Sequence, residues 1–224
     1  MKLHFYPLLF AAICCVFTGC ISTQKIDAFI AEQYGNQLPR LNKKNATNIT
    51  VNSQLAKNGD AISVTTNKTS NFLPLIVYWH YDYRRISQLH PDIAVHQFTN
   101  ALNTAAAKPL QQKLEGKKLE LTVEQAPVSF AQTEKTNIIF VLYLISWSKF
   151  YMEPDFKDLV VSYQLTNADG SVKTGKIQVA NPMRNQKIRL FQKWKSAYSE
   201  FITEYNLAIT TMTKSFAAEL MKQL

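Results

Sequence analysis

Apolar and polar positions along the chain follow two periods, one of about two residues and one of about three and a half. Ile49 to Gln54 and Ala61 to Thr66 alternate on either side of Asn58-Gly59. That dipeptide suits a type I′ turn because both residues tolerate positive φ, so the pattern predicts a hairpin. Phe72 to Arg85 is a longer strand-like run dense in aromatic and β-branched residues, with Pro74 placed near its start or on an edge. Asp92 to Leu114 changes to helical spacing through Ile93, Phe98, Leu102, Ala105 and Ala106. Pro109 is expected to kink or split that helix, and Gly116 fits its end. Lys118 to Val123 alternates weakly, whereas Asn137 to Trp147 is apolar on both faces. A strand apolar on both faces belongs in the middle of a covered sheet. Leu159 to Leu165 alternates again, Asn167-Ala168-Asp169-Gly170 makes a turn, and Val172 to Val179 returns antiparallel. From Gln192 to Lys222, Trp194, Tyr198, Phe201, Tyr205, Ile209, Met212, Phe216 and Leu220 recur every three or four residues, the stripe of a long helix.

The order hairpin, strand, helix, strands, helix predicts an α+β fold: a two-layer sandwich whose mainly antiparallel sheet is covered by two major helices. Composition agrees, since 46% hydrophobic and 18% charged residues describe a folded chain. At about 150 residues per domain, 224 residues make one domain plus a leader. The boundaries read as a signal peptide over 1–19, a lipidated N-terminus and tether over 20–47, and a single domain over 48–224. Within the tether, Ile26, Phe29 and Ile30 line one face of a short helix from Lys25 to Tyr34. Ten residues make a marginal helix in isolation.

The leader changes the picture most. Lys2 precedes an apolar run, Leu8 to Phe17, that is too short for the roughly 20 residues a membrane-spanning helix requires. All three cysteines lie here, at Cys14, Cys15 and Cys20, so the rest of the chain has no thiol for a disulfide or a cysteine-based zinc site. Val16-Phe17-Thr18-Gly19-Cys20 resembles the lipobox of bacterial lipoproteins, with Phe17 where Leu is commoner. The resemblance implies cleavage before Cys20 and acylation there, with palmitate among the chains. Multiple acyl chains anchor stably, at about 0.8 kcal/mol per buried CH₂. Ile21 stands where lipoproteins retained in the inner membrane carry Asp, so the resemblance implies outer-membrane delivery; the body is expected to face the periplasm. Asn45, Asn48 and Asn67 each begin an N-x-Ser/Thr triplet, which beside a lipobox reads as polar surface without sugar.

Catalytic patterns are weak. Trp79 to Arg85 followed by His90, Asp92 and His96 supplies three imidazoles and two carboxylates for a metal, counting His80 and Asp82, but their spacing matches no ligand pattern. Glu153, Asp155 and Asp158 surround Pro154 as turn residues would. There is no Gly-x-Ser-x-Gly elbow and no phosphate-binding glycine loop. We therefore expect no enzyme, catalytic residue, metal or cofactor; a metal- or carboxylate-dependent hydrolase around His80, Asp82, His90 and Asp155 is the minority reading.

Basic residues are more suggestive. Lys and Arg exceed Asp and Glu by 25 to 16, a net charge of +9. Arg184, Lys187, Arg189, Lys193 and Lys195 cluster around Phe191 and Trp194, and Arg84-Arg85 ends the aromatic strand. These seven are the candidate anionic-ligand residues. An exported protein meets little nucleic acid, so none is expected as partner, and anionic lipid headgroups suit the same mixture. A solvated basic face is the simpler alternative.

By order of elements, residues 72 to 223 resemble assembly and transport lipoproteins: the lipoprotein subunit of the outer-membrane lipopolysaccharide translocon, and auxiliary lipoproteins of lipid-transporting ABC systems. What this implies is a non-enzymatic, membrane-anchored lipoprotein binding an envelope protein or anionic lipid in envelope assembly or transport. The alternative is a surface-exposed lipoprotein that contacts host or environment.

Overall fold

The computed structural model describes residues 21–39, 48–57, 59–74, 77–140 and 144–224. The lipobox lies outside them. Three helices and nine strands are named here in chain order: α1 (Thr23–Gln33), β1 (Ile49–Ser53), β2 (Ser63–Pro74), β3 (Tyr78–Leu89), α2 (Pro91–Leu114), β4 (Lys118–Gln125), β5 (Ser129–Phe140), β6 (Leu144–Pro154), β7 (Leu159–Thr166), β8 (Val172–Val179), β9 (Gln186–Lys187) and α3 (Trp194–Gln223). The fold is α+β, with helices packed on sheets, and the strands divide into two sheets. One has the order β1-β4-β7-β8, the other β2-β3-β5-β6-β9.

The hairpin expected across Asn58-Gly59 does not form. β1 instead pairs in parallel with β4, Ile49 opposite Leu119 and Val51 opposite Leu121, while β2 pairs with β3 in the other sheet. Burial decides the choice: Ile49, Val51, Leu119, Leu121 and Val123 are all buried, so the short strand finds its apolar partners in β4. The β7–β8 pair forms as expected, with Leu159, Val161, Tyr163 and Leu165 buried.

Three further expectations need correction. Pro109 does not split its helix, which runs from Pro91 to Leu114 without a break. A proline inside a helix costs about 3 kcal/mol; the burial of Ala106, Leu110 and Leu114 around it offsets that cost. The expected tether contains α1, which is part of the body, with Ile26 and Ile30 fully buried in the core. The doubly apolar run Asn137–Trp147 is not one central strand. It is the end of β5 and the beginning of β6, paired antiparallel with Ile139 opposite Ile145.

The core lies between α3 and the sheets. Phe130 of β5 packs on Tyr198 and Phe201 of α3, with ring centroids 5.8 and 4.8 Å apart. The Tyr205 hydroxyl donates to the Pro127 carbonyl at 2.8 Å, and burial pushes its pKa well up, keeping the phenol a neutral donor.

Candidate functional site

Two features at one end of the molecule stand out. The first is the turn between β9 and α3. The Ile188 amide donates to the Phe150 carbonyl at 2.9 Å, tying the turn to β6. The Gln192 amide donates to the Arg189 carbonyl at 3.1 Å, and the Gln192 side-chain oxygen accepts from the Arg189 amide at 3.0 Å. This closed turn holds Leu190 and Phe191 84% and 93% exposed. Phe191 has φ +67°, a left-handed conformation that costs a residue with a Cβ about 1–2 kcal/mol. A strained, fully exposed aromatic side chain gains nothing from the protein's own core, which points to an external contact. Lys187, Arg189, Lys193 and Lys195 are exposed around it, as is Arg184 shortly before. Lys195 also lies over the rings of Phe29 and Trp194, at 5.4 and 5.8 Å.

Arg84 and Arg85 do not join this cluster as a pair. They occupy opposite faces of β3: Arg84 forms an ion pair with Glu153 at 3.0 Å, while Arg85 stacks 4.7 Å from the Tyr83 ring and donates to Gln132 at 3.4 Å. Both guanidinium groups are held by internal partners, and Arg84 lines a surface groove of about 460 Å³ with Glu153, Asp155 and Lys157.

The second feature is the far end of the five-stranded sheet. Cross-strand register divides its side chains between two faces. One face carries Trp79, Tyr81 and Tyr83 of β3, Glu134, Thr136, Ile138 and Phe140 of β5, and Ser146, Ser148 and Phe150 of β6. The other carries Tyr78, His80 and Asp82, then Lys135, Asn137 and Ile139, then Ile145, Trp147 and Lys149. Helix α3 reaches β5 at Phe130 and Gln132. Phe140 lies ten residues farther along, about 34 Å of extended strand. Val77, Trp79, Phe140, Ile145 and Trp147 are accordingly exposed. The strand pattern in the sequence revealed the doubly apolar run; it could not show that the run ends the sheet.

The residues considered for metal chemistry stay apart. His80 Nδ1 meets Asn137 Oδ1 at 2.9 Å and its Nε2 lies 3.3 Å from Asp82, whereas His90 accepts from the Asp92 amide at 3.2 Å as the cap of α2. His96 lies beside Asn100. Asp155 accepts from Ser129 at 3.1 Å and Asp158 from Gln178 at 2.6 Å, both in loop packing. Among the described residues, no three of His, Cys, Asp and Glu gather where they could hold a metal.

These two features lie toward the same end as the start of the described chain. Phe29 of α1 contacts Trp194, Gln33 accepts from Ser199, and Tyr34 donates to Asn206, so α1 and α3 run in the same direction. Along α3, Tyr198 meets Gln132, Phe201 meets Phe130, and Tyr205 meets Pro127. Helix α3 thus runs away from the sheet end at Phe140, and the N-termini of both helices point toward it. No helix among the described residues is long and apolar enough to cross a membrane.

The strain at Phe191 gives a test. Phe191→Gly removes the Cβ penalty and is expected to raise unfolding stability by about 1 kcal/mol. Urea unfolding measures the effect. A loss of stability would show that the ring packs on the protein after all. No protein-family model matches the chain, and comparison with curated proteins and with solved structures gives no match.

Proposed function

We propose that this protein is a non-enzymatic lipoprotein, acylated at Cys20 and held on the periplasmic side of the outer membrane, that binds anionic lipid in envelope assembly or transport. The observation that carries the reading is the position of the basic turn. The described chain begins at Ile21, directly after Cys20, and enters α1 at Thr23, on the side where α3 begins. Acyl chains on Cys20 would therefore bring a bilayer to the turn that exposes Leu190, Phe191 and the surrounding cations. Each basic group near an anionic surface contributes about 1 kcal/mol, and Leu190 and Phe191 supply apolar area to bury. Arg184, Lys187, Arg189, Lys193 and Lys195 form the headgroup-binding surface in this reading; Arg84 and Arg85 brace the sheet.

Cys20→Ser should move the protein from the membrane to the soluble fraction on cell fractionation. Retention in a high-salt-washed outer membrane would count against the anchor. Neutralising Lys187, Arg189 and Lys193 together should leave anchoring intact and lower affinity for vesicles containing phosphatidylglycerol, with a shallower salt dependence.

A further inference from the structure

We infer that the far end of the five-stranded sheet inserts into the headgroup–acyl boundary of the bilayer to which the protein is anchored. The inference rests on the membrane reading above and extends it to a second site. Tyr78 and Trp79, Ile138 to Phe140, Ile145 and Trp147 form an end that is mainly apolar on both faces of the sheet, with Ser146 opposite Ile138 and with Asn137, opposite Trp147, accepting from the Tyr78 hydroxyl at 2.6 Å. A docking site for one protein partner would be apolar on the face it covers. Apolar character on both faces, with no covering element among the described residues, matches an environment that surrounds the strands.

The residues behind this end support the same occupant. His80 shares the rung of Asn137 and Trp147; behind it come Tyr81 with Thr136 and Ser148, Asp82 with Lys135 and Lys149, Tyr83 with Glu134 and Phe150, and Arg84 with Thr133 and Tyr151, and Lys135 lies 6.0 Å over the Tyr151 ring. A band of aromatic and charged side chains just behind an apolar segment fits a membrane–water interface. The hydroxyls of Thr136 and Ser148, which border the apolar end, bond each other at 2.6 Å and so need no water. The apolar rungs from Ile138 to Phe140 span about 7 Å along the strand, within the depth of about 5–10 Å to which interfacial elements insert. Deeper insertion is opposed by Lys135 and Lys149 and by the open edges of β2 and β6, whose backbone groups lipid cannot satisfy.

The three tryptophans make this measurable, because Trp79 and Trp147 lie in the proposed insert and Trp194 does not. Single-tryptophan variants of the full lipidated protein would be reconstituted in phosphatidylethanolamine–phosphatidylglycerol vesicles containing lipids brominated on the acyl chain. For a side chain inserted by about 5–10 Å, emission from Trp79 and Trp147 should fall by about half, while Trp194 is little changed. Adding Phe140→Asp and Ile145→Lys, both at exposed positions, should restore Trp147 emission without releasing the protein from the vesicles. Quenching of Trp79 and Trp147 by aqueous iodide but not by bromine would overturn the inference, showing an end open to water. Protection from both quenchers would also overturn it, showing that protein, a second copy included, covers the end. Either result with intact Cys20-dependent anchoring would leave the lipoprotein reading standing.

Discussion

Replacing Phe201 by Ala should lower the unfolding free energy by about 3–5 kcal/mol, the range for deleting a large aromatic side chain from a packed core. Phe201 is fully buried on α3, and its ring centroid lies 4.8 Å from that of Phe130 on β5. Tyr198, one turn before it, packs on the same Phe130 ring and donates to Gln132 at 3.3 Å. These contacts join the long helix to the sheet that carries the exposed apolar end, so a cavity here weakens the support of that end. Neither Phe130 nor Tyr198 can fill the space without giving up the other contact. Urea unfolding should show a lower midpoint with an unchanged slope. Leu207→Ala is the control: Leu207 is 63% exposed on the same helix and its removal should change stability by less than about 0.5 kcal/mol. A cost below about 1 kcal/mol for Phe201→Ala would mean that the helix–sheet contact is looser than the packing indicates.

Helix α3 was the most legible element in the sequence because one period governs it throughout. Tyr198, Phe201, Tyr205, Ile209, Met212, Phe216 and Leu220, spaced by three or four, are all buried. The β7–β8 pair was legible for a similar reason, a clean alternation with a turn between the runs. Local pattern failed where pairing depended on distant residues. Asn58-Gly59 has hairpin chemistry, yet β1 gains more from the apolar side chains of β4, about seventy positions away in register. Such a preference is set by burial in the assembled core, and no window around residue 58 contains it.

The run Asn137–Trp147 shows a different limit. Periodicity identified an apolar segment and supplied the general expectation that such segments are covered. In the fold its described parts, 137–140 and 144–147, pair antiparallel at the end of a sheet, and β6 from Ile145 to Lys149 is exposed. Hydrophobicity alone specifies that water is unfavourable there, not whether protein or lipid replaces it. In the candidate lipid-binding turn, the sequence assembled the cations around Phe191; the positive φ and exposure that give the ring its interest are properties of the folded turn. Likewise, adjacency of Arg84 and Arg85 suggested one binding unit, whereas strand alternation sends them to opposite faces.

Asp27→Ala should cost about 3 kcal/mol, as two buried hydroxyls and an amide lose a charged acceptor. The Asp27 carboxylate accepts from Ser63 Oγ at 2.7 Å, from the Thr65 amide at 3.0 Å and from Thr65 Oγ1 at 2.6 Å. Ser63 and Thr65 are buried, and Thr65 Oγ1 also meets Ser87 at 2.9 Å, so the carboxylate closes a chain of hydrogen bonds from α1 through β2 to β3. Because Thr65 gives its hydroxyl proton to Asp27, Ser87 must be the donor to Thr65; removing the carboxylate forces that order to change. Asp27→Asn keeps one acceptor oxygen and should cost roughly half as much. Ile26 and Ile30 still hold α1 by burial in either variant. Hydrogen exchange should therefore report faster opening of α1 while α3 retains its protection, and uniform loss across both helices would contradict a local role. In the proposed lipoprotein reading α1 follows closely on Cys20, so the same variant also tests membrane placement. The protein would still sediment with vesicles, but Leu190 and Phe191 would contact lipid less, because a loosened α1 would no longer fix the anchor relative to the basic turn.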